Sequence, residues 1–339
     1  MKIKEALCFD DVLLVPGYSD VSSRHEVDLR MKLNGIVLKF PVIAAPMDTV
    51  CDVDMCLALG KFGGMGILHR YMPIETLVEK TKILTNSKVV FGVSVAATNS
   101  YMSDAYSLVN AGADIILVDI ANGHSKYAID AVSSLKKEFG SAIHIMSGNI
   151  ATYEGYARLQ DAGADSVRVG IGGGSACTTR IVSGHGMPTL QSVMDIYKKS
   201  GKNRYTSIIA DGGIRNSGDM IKSFAAGADA VMVGSMFAGT EEAPGLIISN
   251  INNEKVKIFR GMASIAAQMD SSGKVSVSEG VSTTVPYRGS VINIFQTIRG
   301  GLGSGCSYSG VDKLSDLTEN AEYVRVSQAS LAESRPHIL

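Results

Sequence analysis

Three near-identical segments constrain this chain more than any other feature. AGADIILVDIA (111–121), AGADSVRVGIG (162–172) and AGADAVMVGSM (226–236) each read as a helix end, a glycine turn, an aspartate and a short β-prone run. Their starts lie 51 and 64 residues apart. One βα unit of an α/β barrel takes roughly 25–30 residues, so each interval has room for two units. The intervening strands are visible. Apolar runs occur at Val42–Ala45, Gly66–His69, Phe91–Val95, Ile115–Asp119, Ile143–Ser147, Val167–Gly170, Ser207–Ala210 and Ala230–Gly234. Strands buried on both faces of a parallel sheet read as continuous apolar runs in this way. Helical stretches such as Tyr127–Phe139 and Gly218–Ala226 separate them. Eight near-equal repeats predict an α/β fold, a (β/α)8 TIM barrel forming a single domain over 1–339. A doubly wound sheet is the structural alternative, but it does not need eight near-equal repeats.

Two stretches break the rhythm. Strand six starts at 167 and strand seven at 207, and residues 235–310 exceed one loop and one helix. In a barrel, both the extended loop after strand six and the insertion after strand eight fall on the C-terminal face, where active sites are built. Within the insertion, DSSGKVSVSEGVSTT (270–284) is polar and rich in Gly and Ser. It reads as part of a mobile flap, approximately 266–284, or as a plain surface loop.

Composition narrows the function classes. Hydrophobic residues make up 45 % and charged residues 19 %, enough to bury a full core and exclude disorder. Basic and acidic residues nearly cancel, 32 against 33, so neither a dedicated nucleic-acid binder nor a membrane-surface binder is expected. The five cysteines are odd in number and lack CxxC spacing, which points to a reducing compartment. MKIKEALCFDD turns acidic too early for a signal peptide, and no apolar run approaches ~20 residues. A cytoplasmic location is the expectation.

The loop GIGGGSACTTRIVSGHGMP (170–188) carries the sharpest chemistry. Its glycines offer backbone amides and carbonyls to a ligand or ion. Cys177 in such a loop is a candidate nucleophile whose thiolate positive backbone dipoles would favour. The alternative is a small buried hydrophobe, which suits Cys8, Cys51, Cys56 and Cys306. His69, His124 and His185 show no metal-ligand spacing. KSGKNR (199–204) reads as a solvated turn.

The Cys-Thr-Thr-Arg loop, with DDVLLVPGYS (10–19), APMDTV (45–50), ADGGIRNSGD (210–219) and VMVGSMFAGTEEAPG (231–245), resembles the inosine-monophosphate dehydrogenase and guanosine-monophosphate reductase family. The resemblance runs from about Phe9 to His337. It implies that Cys177 attacks C2 of a purine nucleotide monophosphate to form a thioimidate, with Thr179 and Glu279 as a proton relay. A threonine is a poor base alone, so a carboxylate partner makes chemical sense. Ser175, Gly212, Gly213, Gly234 and Ser235 would hold the phosphate, and glycines after strands seven and eight form the usual barrel phosphate site. Asp211 would bind the ribose hydroxyls. Met47 would pack on the base, with Gly261 and Met262 at its edge. Asp119, Asn149 and Gly170 would line the nicotinamide side. Carbonyls of Gly172, Gly174 and Cys177 would hold potassium. The tail LAESRPHIL would complete that site from a neighbouring subunit through Glu333 and Ser334, in a homotetramer.

The two family activities share the thioimidate and differ in its fate. In the dehydrogenase, an Arg-Tyr flap pair activates water to hydrolyse it. Here AAQMDSSGKVSVSEG (266–280) contains neither Arg nor Tyr. The regulatory modules usual after strand two are also absent, since Arg70 leads to Phe91 within about twenty residues. Ser22–Leu29, Ala121–Gly123 and Cys306–Tyr308 are reductase-like, whereas Gly239–Glu242, Gly123–Ser125 and the Glu-Ser-x-Pro-His tail lean to the dehydrogenase. Gly173 stands where the family usually has proline. The missing pair decides for GMP reductase, an NADPH-dependent oxidoreductase of purine salvage. The alternatives are an IMP dehydrogenase using NAD without the modules, and a non-catalytic purine-nucleotide-binding barrel.

Overall fold

The computed structural model describes residues 3–98 and 100–334. Eight parallel strands close into a barrel in sequence order: β1 (Val42–Ala44), β2 (Met65–Leu68), β3 (Phe91–Ala96), β4 (Ile115–Asp119), β5 (His144–Ile150), β6 (Ser166–Val169), β7 (Ser207–Asp211) and β8 (Ala230–Val233). The ring of helices is α1 (Val53–Phe62), α2 (Ile74–Asn86), α3 (Tyr101–Asn110), α4 (Lys126–Phe139), α5 (Tyr153–Asp161), α6 (Thr189–Ser200), α7 (Ser217–Ala225) and α8 (Val291–Tyr308). Each expected strand is present, with ends displaced by at most three residues.

The AGAD repeat has a physical explanation. Gly112, Gly163 and Gly227 all adopt the left-handed conformation, with φ of 99°, 96° and 102°. The following residue's N–H reaches back to a helix carbonyl, as Ala113 does to Leu108 and Ala164 to Leu159. This closure of a helix C-terminus needs a residue without Cβ strain at the turn. The aspartate then ties neighbouring strands. Asp165 accepts from the Ile145 N–H at 2.8 Å, and Asp229 from the Ile208 N–H at 2.7 Å. Side-chain oxygens of Asp52, Ser125, Thr152 and Asn216 cap α1, α4, α5 and α7.

Two apolar layers arise from strand alternation. Ile43, Ile67, Leu117, Met146, Ile209 and Met232 fill the barrel, while residues such as Ile116 and Val118 pack outward toward the helices. The hairpin of Met31–Leu33 and Ile36–Leu38 adds Leu33 and Leu38 to the interior. Asn34 in its turn bonds Ser207 and Asp165, so the hairpin plugs the N-terminal end. Ligands must therefore enter from the opposite, C-terminal end.

His144 lies in that plugged end, hydrogen-bonded to Ser166 Oγ at 2.8 Å. Burial lowers its pKa to about 4, against the opposing pull of Asp165. The folded state thus holds it neutral while the unfolded chain takes a proton below about 6.5. Stability should therefore fall as pH drops from about 6.5 toward about 4, by up to about 1.4 kcal/mol per pH unit from this one group. Urea titrations of wild type and His144→Gln across that window check it: the variant should show the shallower decline.

The insertion after β8 carries a three-stranded antiparallel sheet of Ile248–Ser249, Lys255–Arg260 and Ser282–Pro286, and a helix, Ile265–Ser272. Much of the segment expected as a loop is thus regular. Ser264 caps the Ala267 N–H, and Thr283, Thr284 and Val285 pair with Phe259, Ile258 and Lys257. Within 266–284, only residues 273–281 lack a helix or strand.

Candidate active site

A cavity of about 1140 Å³ opens at the C-terminal ends of the barrel strands. Met47, Asp119, Asn149, Gly170, Gly172, Gly174, Ser175, Cys177, Thr179, Asp211, Gly212, Gly213, Gly234, Ser235, Gly261, Met262 and Glu279 all line it. Glu333 and Ser334 do not. They are exposed at the end of the helix Gln328–Glu333, and Arg335–Leu339 of the tail lie outside the described residues.

Loops after β6 and β7 meet backbone to backbone here. Gly170 has φ 148°, and a Cβ at that position would collide with the Asp211 carbonyl oxygen. Only glycine lets β6 leave the barrel so close to β7. Beyond it, the loop brings Cys177 to Thr179, the Sγ donating to Oγ1 at 3.2 Å. Thr179 in turn donates to Glu279 Oε2 at 2.7 Å. A thiol, a hydroxyl and a carboxylate thus form one continuous proton path.

The insertion closes this path. The Thr178 N–H donates to the Glu279 carbonyl at 2.9 Å, and the Val281 N–H to the Ala176 carbonyl at 3.0 Å. Glu279 could meet Thr179 only by closure of its segment, and in this structure the segment is closed. Of the other cysteines, Cys51, Cys56 and Cys306 are buried, and burial pushes the Cys306 thiol up to about 12. Such thiols are poor nucleophiles.

Below the relay lies a charged cluster. Arg168 sits on β6, only 5 % exposed, in a largely apolar barrel. A buried charge is costly unless paired. Its guanidinium contacts Asp119 at 2.5 Å and lies 3.9 Å from Asp211. Arg70 reaches Asp119 from the other side at 3.3 Å. Asn149 Nδ2 donates to Asp211 and to the Gly170 carbonyl, both at 2.8 Å. Burial raises the Asp211 carboxyl pKa, and Arg168 and Asn149 oppose it. A carboxylate held in this way can accept hydrogen bonds from a diol.

Around the expected base seat, the Asp48 N–H contacts Met262 Sδ at 3.3 Å. Arg260 bridges Asp48 at 2.5 Å and Asp270 at 2.7 Å, tying the loop that carries Met47 to the helix 265–272. Arg70, Arg168 and Arg260 escaped the sequence reading. Arg168 left a signal there, since one arginine interrupts the apolar run SVRVG. The carbonyls of Gly172, Gly174 and Cys177 belong to one tight loop, an oxygen-only donor set of the type hard cations take. Gly174 O already accepts from the Cys177 N–H at 3.1 Å.

The IMP dehydrogenase / GMP reductase domain family matches residues 6–337. Inosine-5'-monophosphate dehydrogenase of Borreliella burgdorferi is 37 % identical over 396 residues, covering 98 % of this chain and 97 % of that protein. GMP reductase of Leishmania major is 32 % identical over 480 residues, covering 99 % and 97 %. Among solved structures, a cysteine-to-alanine variant of GMP reductase from Trypanosoma brucei in complex with guanosine 5'-monophosphate superposes with a TM-score of 0.93. It is 30 % identical and covers 99 % of this chain and 98 % of that one. No regulatory insertion separates β2 from β3, which run from Met65 and Phe91 in a chain of 339 residues. Dehydrogenase and reductase relatives stand at similar identity, so likeness does not choose the direction of reaction.

Proposed function

This chain belongs to the IMP dehydrogenase / GMP reductase family of oxidoreductases, and from that premise we propose that it is a reductase converting GMP to IMP. One observation carries the direction. The cavity wall contributed by the 266–280 segment offers Gln268, Asp270, Ser271, Ser276, Val277 and Glu279, with neither Arg nor Tyr to activate water. A thioimidate awaiting hydrolysis would stall there, whereas Glu279, on taking the Cys177 proton through Thr179, is placed to return it to a leaving amine.

The Cys177 thiolate adds to C2 of the purine. The C2–amine bond then breaks, and the amine leaves as ammonia with a proton delivered from Glu279 through Thr179. NADPH, when bound, supplies the hydride that replaces sulfur at C2, and the C–S bond returns its electron pair to Cys177. One GMP, one NADPH and two protons become IMP, NADP⁺ and ammonium.

Ser175, Gly212, Gly213, Gly234 and Ser235 hold the phosphate, Asp211 the ribose, and Met47, Gly261 and Met262 the base. Asp119, Asn149 and Gly170 face the nicotinamide. The cavity, about 1140 Å³, exceeds the ~300–1,000 Å³ usual for one small ligand, leaving room for a second. The same reading includes a cytoplasmic homotetramer. In it, the Gly172, Gly174 and Cys177 carbonyls, with Glu333 and Ser334 of the partner subunit, would hold potassium. No helix among the described residues is long and apolar enough to cross a membrane.

One observation favours NAD-dependent oxidation of IMP as a second reading. Arg70 and Tyr71 also line the cavity, with the guanidinium carbon 4.8 Å from the ring centre, so an Arg-Tyr pair exists on a different loop. Arg70, however, is tied through its Nε to Asp119 at 3.3 Å. The deciding experiment compares GMP with NADPH against IMP with NAD. We expect GMP-dependent oxidation of NADPH with IMP as product. NADH formation from IMP would overturn the direction, and inertness of both pairs despite GMP binding would leave a non-catalytic barrel.

A further inference from the structure

The proposed reaction uses Ser235 to hold the phosphate and Glu279 to move protons, and one continuous run of backbone joins them. At its start, residues 279–281 bond to the Cys177 loop through the Thr178 N–H and the Ala176 carbonyl. In its middle, Ser282–Pro286 pairs residue by residue with 256–260, the strand that leads into Gly261 and Met262. At its end, Arg288 Nη1 donates to the Ser235 carbonyl at 3.2 Å and to the Met236 carbonyl at 3.0 Å. The Arg288 N–H also bonds the Gly239 carbonyl, and the Glu241 N–H bonds the Gly289 carbonyl, both at 2.9 Å. Arg288 itself is exposed and does not line the cavity.

We propose that Arg288 is a positioning residue that couples seating of the substrate phosphate at Gly234 and Ser235 to closure of the Cys177–Thr179–Glu279 relay. This rests on the roles given above to Ser235 and Glu279, but not on the direction of the reaction. A guanidinium donating to two carbonyls of one turn makes charge-assisted hydrogen bonds, the stronger kind. A phosphate dianion on the Ser235 N–H polarises the Gly234 carbonyl, which accepts from the Phe237 N–H at 3.0 Å, and the Met236 carbonyl of that second peptide accepts from Arg288, so the hydrogen bonds run in series and strengthen one another. The paired strand between the two ends transmits the grip, because its register with 256–260 resists sliding. With the phosphate seated, Arg288 holds the run taut and Glu279 stays on Thr179. Without Arg288, phosphate still binds its own amides, but the far end no longer responds.

Two measurements test this on Arg288→Gln and Arg288→Lys. The first is kcat and KM for whichever nucleotide and cofactor pair the wild-type enzyme turns over. The second needs no turnover. It is the rate of Cys177 alkylation by iodoacetamide, read by peptide mass mapping, with and without saturating inorganic phosphate. We expect kcat of Arg288→Gln to fall about tenfold, within the range usual for coupling between sites. Arg288→Lys, which keeps a cationic donor, should stay within about threefold of wild type. Phosphate should change the Cys177 alkylation rate at least about threefold in wild type and Arg288→Lys, and not in Arg288→Gln. A raised KM with unchanged kcat, or a phosphate response in Arg288→Gln equal to wild type, overturns the coupling. A wrong functional reading shows separately, as absence of GMP-dependent NADPH oxidation in wild type, and leaves the alkylation readout decisive.

Discussion

Replacing Cys177 with alanine is expected to leave a folded protein that binds nucleotide and turns nothing over. In the proposed mechanism the reaction passes through a bond to the Cys177 sulfur, so its removal closes the covalent route, and a loss of at least about 10⁴-fold is expected. The fold should not notice. The loop is held by its backbone, through Gly174 to Cys177, Ala176 to Val281 and Thr178 to Glu279. The thiol's own partner is a side chain, Thr179, which keeps its bond to Glu279. The checks are steady-state turnover, thermal melting and equilibrium binding of GMP. Turnover near wild type with either substrate pair would remove Cys177 from the mechanism.

Glu279→Gln carries the second large effect. Glutamine keeps the length of the side chain and can still accept from Thr179, but it cannot hand over a proton. A positioned acid contributes roughly 10²–10⁴-fold to such a step, and kcat should fall by that amount. The main-chain bonds of residue 279, its N–H to Ala263 and its carbonyl to Thr178, do not depend on the carboxylate. The closed segment should therefore persist. The proposed GMP contacts come from loops after β6, β7 and β8, so its dissociation constant should stay within about threefold, well inside the effect expected on kcat. Turnover measured beside equilibrium binding separates the possibilities. Normal turnover would exclude the relay, and lost binding would make Glu279 a ligand anchor.

These two residues show how far the chain could be read before it was seen folded. Cys177 stood out locally, as a nucleophile type in a run of glycines. Glu279 did not. It is the only carboxylate in 271–284, but nothing in its own segment says that it faces a threonine one hundred residues earlier. The resemblance paired them, and their 2.7 Å contact depends on the 279–281 backbone bonding to the Cys177 loop. The same holds for the insertion expected as a flap of loop character. Along 270–284 Gly disfavours a strand while Val and Thr favour one, so propensity does not place it, and pairing with the 255–260 strand decides that Ser282–Pro286 is extended.

The barrel itself was legible because its determinants are local. A left-handed glycine after a helix and an aspartate at a strand entrance, found three times, and a run of apolar residues, found eight times, each act within a few positions, and the eight runs leave one economical closure. What sequence alone could not determine is what faces what across that closure. Arg168 was visible as an arginine in an apolar strand, but its two aspartates come from β4 and β7, 49 residues before it and 43 after. Whether such a charge is a defect or the floor of a site depends on desolvation and on partners within about 4 Å. Arg70 with Asp119, and Arg260 with Asp48, are of the same kind. Strand order comes from short-range propensity and apolar pattern, which the chain states residue by residue. The pairing of buried charges comes from distances across the barrel mouth, which exist only once the eighth strand has closed on the first.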